Sequence, residues 1–325
     1  KSYFKFLNLV KDSTIRYSVV LGCPNGKVLV GSSNYFASPM LQTVESGSNT
    51  ISIVQEQNGN KTLLNLYEIN FAEDKEYTLF VAKEQSGEVE LFLIDDYDNS
   101  SFAIRKLEPL QDRVAYIRTI NFSSGSVSLT KLPQYLITQN LASGTIDSYS
   151  KIPVCESDFS DSLKLSSSGG DVLWTNSFEV NKKYSVFVFD SLDKVKVILS
   201  NPITLREPLN GRSFVRVINA IDDSIAVTLS LGARASNNQS GFVSGEVLAS
   251  KLKSNRISSP VVITPGYLPL TLFSSSEPNI LLQTGIGEFL PNRSYIVVLL
   301  KDSKGEIQFS IVEENDENTQ VKLLP

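Results

Sequence analysis

The chain has 325 residues, of which 41% are hydrophobic and 20% charged, so it has the length of two or three domains and enough apolar residues for buried cores. Its formal net charge of −5 argues against a nucleic-acid partner, because phosphate binding needs a basic face. No stretch approaches the roughly 18 consecutive apolar residues of a membrane helix. Histidine is absent, which removes the usual general base and the usual zinc ligand. We therefore expect a protein that is not an enzyme and that holds no cofactor and no metal.

A strand-like pattern at the start of the chain occurs three times. Each copy begins with an aromatic residue, has Lys or Arg at its third position and ends in Asn, at 3–8, 116–121 and 214–219. Copies about 100 residues apart have the spacing of whole small domains rather than of solenoid repeats. Period-two alternation places the basic side chain opposite the apolar ones, as in a strand with one wet face. The Asn at the end is interpreted as a turn residue that bonds its own backbone.

A second shared pattern lies near the end of each copy. A Phe is followed six residues later by a Tyr that opens a strand, in the pairs Phe71 and Tyr77, Phe178 and Tyr184, and Phe289 and Tyr295. A polar turn that leads to such a Tyr is typical of the tyrosine corner of Greek-key sandwiches, where the buried ring ties the turn to the strand through its hydroxyl. After each Tyr strand, a charged hairpin and an alternating last strand follow.

The joints between copies are similar as well, with Glu-Pro-Leu at 108–110 and again at 207–209. Proline fixes an extended backbone, which suits a short, stiff linker. The sequence therefore predicts an all-β protein of three tandem immunoglobulin-like Greek-key β-sandwich domains at 1–109, 110–208 and 209–325. Within each copy, a glycine turn is expected before a middle strand, at Gly47, at 169–170 and at Gly266.

The copies differ most in two long loops, 133–162 and 232–260, which are rich in Ser, Asn and Gly. Since functional residues concentrate on loops held by a rigid scaffold, these loops are the first candidates for a binding surface. The aromatic residues in them are the candidate ligand contacts: Tyr135, Tyr149, Phe159 and Phe242. The competing interpretation is that these rings fill the cores of their own domains, and Trp174 nearby is predicted to be a core residue.

Acidic clusters occur at 95–98, 222–223 and 313–317. Calcium takes oxygen ligands from such runs, but none has the spacing of an EF-hand loop, and solvated turns or a fraying tail explain them equally well. Cys23 and Cys155 fall in different copies, so a bridge between domains and two packed thiols both remain open.

The motifs together resemble the domain-of-unknown-function 4397 family of secreted bacterial domains. The third copy carries the pattern best, in the strand 215–220, the Pro-Gly-Tyr turn at 265–267 and the Tyr strand at 295–298. The first two copies depart from it, and the second has no clear Pro-Gly. The resemblance implies immunoglobulin-like sandwiches on exported, often lipid-anchored envelope proteins, with no known activity and no catalytic residues. The Asn- and Ser-rich, His-free composition is also similar to that of surface lipoproteins of the Bacteroides group.

These features lead to one functional expectation and one alternative. We expect a non-enzymatic cell-envelope protein, an extended rod of tandem sandwiches for adhesion or for binding a protein or glycan at the cell surface. The alternative is an accessory or enzymatic role in binding, uptake or modification of polysaccharide. Contact with a membrane is expected only through an N-terminal lipid anchor on a segment that has been removed, since the chain starts at Lys1 without a signal sequence.

Overall fold

The structure is a computed structural model in which all described regular elements are β-strands. Among the described residues, none lies in a helix long and apolar enough to cross a membrane. The description covers the whole chain except residues 23–27, 38, 97–103, 111–112, 133–134, 155–160, 191–194, 202–209, 222–224, 233–245, 277–280, 303, 315–321 and 325.

The described residues of the first sandwich form nine strands in two sheets. Their bounds are β1 (Ser2–Asn8), β2 (Ile15–Leu21), β3 (Val28–Ser33), β4 (Gln42–Val44), β5 (Gly47–Gln57), β6 (Asn60–Phe71), β7 (Glu76–Lys83), β8 (Val89–Asp95) and β9 (Ile104–Lys106). One sheet has the order β4-β1-β7-β8-β9, and the other places β6, β5, β2 and β3 side by side. Alternating apolar residues of both sheets enclose one core, with Phe4, Tyr17 and Tyr67 fully buried in it.

The second sandwich repeats this arrangement. Its strands are β10 (Val114–Asn121), β11 (Val127–Lys131), β12 (Tyr135–Leu141), β13 (Thr145–Ile146), β14 (Ser150–Pro153), β15 (Asp161–Ser167), β16 (Gly170–Asn176), β17 (Lys183–Asp190) and β18 (Val195–Ser200). One sheet has the order β13-β10-β17-β18, with β14 also on β10, and the other places β16, β15, β11 and β12 side by side.

The third sandwich has the same plan with one further strand at its end. Its strands are β19 (Ser213–Asn219), β20 (Val227–Leu231), β21 (Val247–Leu252), β22 (Arg256–Ile257), β23 (Val261–Ile263), β24 (Gly266–Ser274), β25 (Leu281–Phe289), β26 (Ser294–Lys301), β27 (Ile307–Glu313) and β28 (Lys322–Leu324). The sheets run β22-β19-β26-β27-β28, with β23 also on β19, and β21-β20-β24-β25.

The prediction of an all-β chain of tandem β-sandwiches is confirmed. In every copy the first strand pairs in parallel with the Tyr strand, as β1 does with β7, β10 with β17 and β19 with β26. This order differs from an immunoglobulin constant domain, in which the first and second strands share a sheet. The predicted glycine turn holds for Gly47 and Gly266, which open β5 and β24. Residues 169–170 also precede a strand, since Gly169 lies in the turn and Gly170 opens β16, but this strand corresponds to β6 and β25 rather than to β5 and β24.

A buried asparagine joins the two sheets of each sandwich. At the end of the first strand, the side-chain amide of Asn8 donates to the carbonyl of Ser33 at 3.0 Å, and its Oδ1 accepts from the backbone N–H of Val10. Asn121 and Asn219 make the matching bonds to the carbonyls of Leu141 and Leu252. In each case the acceptor is the last residue of a strand in the opposite sheet. The predicted turn chemistry is confirmed, and the amide also links the two sheets.

The tyrosine corner is present in all three copies. The hydroxyls of Tyr77, Tyr184 and Tyr295 accept hydrogen bonds of 2.8–2.9 Å from backbone N–H groups five residues upstream. Each ring also meets the edge or face of its upstream Phe, with ring centroids 4.8–5.3 Å apart. Burial raises the pKa of Tyr184 and Tyr295, which keeps these hydroxyls protonated.

The first and second sandwiches join edge to edge. Strand β12 pairs in parallel with β6 at Tyr135 and Lys61, so one half-sheet of each domain becomes part of a single eight-stranded sheet. The segment that contains the predicted linker is pinned, because Leu107 lies in the first core and the N–H of Leu110 donates to the carbonyl of Leu66 at 2.8 Å. The predicted boundary at 109 falls in this segment, and the one at 208 lies outside the described residues.

The second and third sandwiches join face to face. The outer faces of the sheets built on β10 and β19 bury a shared apolar cluster, which includes Phe187, Phe189, Ile218 and Val298. Both joints are lateral contacts, which differs from the extended rod of end-to-end domains expected from the sequence. The physical reason is that these outer faces are apolar in both copies. Burying them against each other is more favourable than leaving them exposed to water.

Charged side chains lie at the margin of this joint. Arg118 is almost fully buried and donates to the carbonyl of Glu313 at 2.7 Å, while Arg216 pairs with the carboxylate of Glu314. The prediction that the basic residue of the first strand lies on a wet face is therefore wrong for the second and third copies. Lys5 of the first copy remains partly exposed and pairs with Glu76.

We predict that Tyr184→Phe destabilises the second sandwich by about 1–2 kcal/mol, because the N–H of Glu179 loses its acceptor. Native-state hydrogen exchange of the Glu179 amide should become faster. Tyr3→Phe is the matched control, since the Tyr3 ring is 38% exposed and lies outside the corner. Equal exchange of the Glu179 amide in both variants would contradict the role given to the hydroxyl.

A second prediction concerns pH. Burial raises the pKa of Glu314 above its ordinary value of 4.5, although Arg216 and Ser200 oppose the rise. A raised folded pKa means that the native state binds this proton more tightly, so the free energy of unfolding should fall as pH rises from about 4.5 through the folded pKa. Because the chain has no histidine, few other groups titrate between about pH 5 and 8.

Thermal unfolding of the wild type and Glu314→Gln at a series of pH values tests this. The wild type should lose more stability than the variant as pH rises over this range. Parallel pH profiles for the two proteins would show that Glu314 does not cause the slope.

Candidate functional site

Of the four aromatic residues predicted as ligand contacts, the two on described backbone, Tyr135 and Tyr149, lie at two different domain joints. Tyr149 lies at the joint of the second and third sandwiches, where its hydroxyl donates to the carbonyl of Glu314 at 2.7 Å and its ring lies 4.7 Å from the guanidinium of Arg118. Tyr135 lies at the edge-to-edge joint, on β12. Phe159 and Phe242 lie outside the described residues. Tyr149 is therefore a structural residue of a domain joint.

Trp174 packs against the core of the second sandwich, as predicted. Its indole N–H is buried and has no hydrogen-bond partner among the described residues. The ring therefore contributes apolar contact to its own domain rather than an exposed stacking surface.

A cleft lies at the joint of the first and second sandwiches. Its volume is about 290 Å³, and β6 of the first domain and strands β11, β12 and β14 of the second line it. The second-domain part includes 136–137 and 150–152, within the loop region 133–162 that the sequence singled out. Its walls combine apolar side chains such as Leu63 and Ile137 with Asn65, Ser150 and two lysines, Lys131 and Lys151.

Lys131 occupies a position that is apolar in the other two copies. It is 2% exposed and pairs with Leu163 on the neighbouring strand. The matching residues at the ends of β2 and β20 are Leu21 and Leu231, which pack with their own cores. A lysine is rarely buried to this extent unless it is paired, and Lys131 does have an interaction partner. The second copy therefore has a lysine, at the margin of the cleft, where the other two copies have a leucine.

The loop between β3 and β4 of the first sandwich presents apolar side chains to solvent. Phe36 is 66% exposed, Met40 76%, and Tyr35 and Leu41 are exposed as well. The rings of Tyr35 and Phe36 meet edge to face with centroids 5.0 Å apart. The corresponding loops of the second and third sandwiches, 142–144 and 253–255, contain no large hydrophobic residue.

The backbone at Phe36 is strained. Its N–H donates to the carbonyl of Asn8, and its φ is 53°. Gly144 and Asn255 make the same bond in the other copies, also with positive φ. Glycine and asparagine tolerate this conformation, whereas an aromatic residue there costs about 1–2 kcal/mol. Such strain at an exposed side chain is a pointer to function.

The outer sheet face of the first sandwich carries an apolar stripe. Leu7, Phe80 and Phe92 lie side by side on three neighbouring strands, and the two phenylalanine rings stack at 5.1 Å. These positions match the ones that the second and third sandwiches bury against each other. Within the described part of the chain, no other domain covers the stripe.

The acidic clusters are used structurally where they are described. Asp96 accepts a hydrogen bond from Thr78 at 2.7 Å, Arg293 pairs with Glu313 at 2.6 Å, and Glu314 lies in the domain joint. Across the residues with described positions, no three His, Cys, Asp or Glu side chains gather as metal ligands would. Asp222 and Asp223, and both cysteines, fall outside the description.

Both surfaces that the sequence analysis missed left a signal in the repeat. The alignment of Val127-Ser-Leu-Thr-Lys131 with Val227-Thr-Leu-Ser-Leu231 shows the exchanged lysine directly. The loop of the first copy differs from its counterparts in length and contains the single methionine of the chain, Met40.

Comparison with known proteins adds little. No protein-family model matches the sequence. No curated protein matches it either. Among solved structures, the chain is similar to a candidate cell adhesion protein from Bacteroides fragilis, at 10% identity and a TM-score of 0.22 over 61% of this chain and 87% of that one. This TM-score is too low to support a shared fold or function.

Proposed function

We propose that this is a non-enzymatic cell-envelope protein whose first sandwich binds a partner protein through the loop 35–41. The observation that carries the proposal is the exposure of Tyr35, Phe36 and Met40 on a loop whose described counterparts in the same chain expose no large hydrophobic residue. Contiguous exposed apolar side chains mark interaction sites more often than scattered ones do. The second and third sandwiches, buried against each other, serve as the scaffold.

A protein partner suits this surface better than a glycan does. Aromatic residues and methionine are enriched at the cores of protein interfaces, and Met40 and Leu41 add apolar area without hydrogen-bonding groups. The half-buried stripe of Leu7, Phe80 and Phe92 supplies further apolar surface on the same domain. Glycan binding by the Tyr35 and Phe36 rings remains the second arm of the test.

We further propose that the protein acts outside the cell, on the envelope or outer-membrane surface, as an exported lipoprotein. This proposal is supported by the resemblance of its repeats to the domain-of-unknown-function 4397 family and by its composition. Membership of that family stays a prediction.

The double variant Phe36→Asn/Met40→Ser should lose binding without loss of stability. Asn is the residue that the third copy has at the position of Phe36, and it tolerates positive φ, so the substitution relieves strain and the free energy of unfolding should not fall. Immobilised wild-type protein should capture a protein from cell-surface extracts, and the variant should not.

Ile286→Thr is the matched control, since it removes an equally exposed hydrophobic side chain from the third sandwich. It should capture the same protein as the wild type. If the double variant captured as much of the partner as the wild type does, the loop 35–41 would not be the binding surface. Glycan-array binding that depends on Phe36 would change the partner from protein to glycan.

A further inference from the structure

We propose that the outer sheet face of the first sandwich binds the same face of a second copy of this chain. A two-fold axis relates the two chains, with contacts of the kind that join the second and third sandwiches. This inference goes beyond the function proposed above, which assigns the loop 35–41 to a partner protein and treats the stripe of Leu7, Phe80 and Phe92 only as additional apolar surface. Among the described residues, no other domain covers this face.

The first argument is that the contacts between the second and third sandwiches are reciprocal. Arg118, on the first strand of the second sandwich, donates to the carbonyl of Glu313 at the end of β27 at 2.7 Å. Arg216, at the same position of the third sandwich, donates to the carbonyl of Asn201, which follows β18, also at 2.7 Å. Strand register makes Glu313 and Asn201 equivalent positions. An interface with such reciprocal contacts is isologous, which is the type that closes a homodimer.

The second argument is that the first sandwich has matching apolar residues on its own outer face. Strand register aligns each residue of the stripe with a residue that the joint of the second sandwich buries: Leu7 with Ile120, Phe80 with Phe187, and Phe92 with Ile198. Ile94 and Ile104 pair beside the stripe, and Ile104 is 61% exposed. Two copies of this face already bury each other within the chain, so burial against a duplicate is also favourable for the first one.

The third argument is charge complementarity. Lys5 lies at the position of the two arginines that reach across the joint, and its side chain is 38% exposed. Asp95 lies at the end of β8, at the position where Glu313 accepts from Arg118, and Asp96 follows it. The two-fold axis therefore brings Lys5 of each chain to the acidic strand end of the other. Such pairing of opposite charges favours this orientation of the two faces over others.

Sedimentation velocity of the whole chain over a range of concentrations tests the proposal. The wild type should show a reversible equilibrium between monomer and dimer. Phe80→Glu should weaken the dimer at least about tenfold, because it places two unpaired carboxylates in the buried centre of the interface. Ile286→Glu is the matched control, since it places the same charge on an exposed hydrophobic position of the third sandwich. This control should dimerise as the wild type does.

Two substitutions of Lys5 test the orientation of the faces, and both leave the cores untouched because this side chain is partly exposed. Lys5→Arg introduces the residue that the other two copies have at this position. It should tighten the dimer, because a guanidinium group can donate to the strand-end carbonyl of the other chain as Arg118 and Arg216 do. Lys5→Glu should weaken the dimer, because it brings a carboxylate to Asp95 of the other chain.

Three results would overturn the proposal. They are a wild type that stays monomeric at every concentration, a folded Phe80→Glu variant that dimerises as tightly as the wild type, and a Lys5→Arg variant that dimerises no more tightly than Lys5→Glu. Phe36→Asn/Met40→Ser keeps the whole sheet face and should still dimerise. Self-association and the binding of a partner by the loop 35–41 therefore fail or succeed separately.

Discussion

The buried asparagine at the end of each first strand is the constraint on which the rest of each sandwich depends. Asn8, Asn121 and Asn219 are fully buried, and each side chain satisfies a carbonyl at the end of a strand in the opposite sheet. A buried polar group that loses its partner costs about 1–3 kcal/mol, so this bridge fixes how the two sheets meet. The backbone carbonyl of the same residue accepts from the loop that follows, and the residue that donates must adopt positive φ. The clamp thus determines the geometry of the loop in which the candidate binding surface of the first copy lies.

A second constraint arranges the domains. In every copy the sheet built on the first strand is apolar on its outer face as well as its inner one. Two of the three faces cover each other, which buries Ile218 and Phe187 and draws Arg118, Arg216 and Glu314 out of water with them. Because there are three such faces and two of them pack together, one face has no partner domain. Among the described residues, the uncovered face belongs to the first sandwich, which also presents the exposed side chains of Tyr35, Phe36 and Met40.

Much of the fold could be predicted from the sequence, because the determinants are local. The Phe-to-Tyr corner and the Asn-terminated strand each depend on residues a few positions apart, and their recurrence identified three sandwiches. The joints could not be predicted, since they depend on which sheet faces meet in space. The alternating pattern of β10 and β19 predicts that one face of each strand is exposed to solvent. Only the packing of the second and third sandwiches shows that this face is buried. For the same reason Tyr149 looked like a loop aromatic available to a ligand, although it completes a joint. The single-residue signals, Lys131 and Phe36, were visible in the alignment of the copies but lie where the copies differ.

These differences show how a repeated fold acquires specific sites. A residue type that recurs in all three copies is one that the sandwich requires for its stability. A different residue at such a position is expected to destabilise its own domain. Lys131 and Phe36 are two departures of this kind: one buries a charge where its counterparts are leucines, and the other places an aromatic ring in a conformation that its counterparts fill with Gly144 and Asn255. The positive φ of Phe36 costs its own domain about 1–2 kcal/mol. Because sequences under selection lose such costs when nothing opposes them, the strained aromatic residue at Phe36 is the clearest physical pointer to the binding surface proposed for the first sandwich.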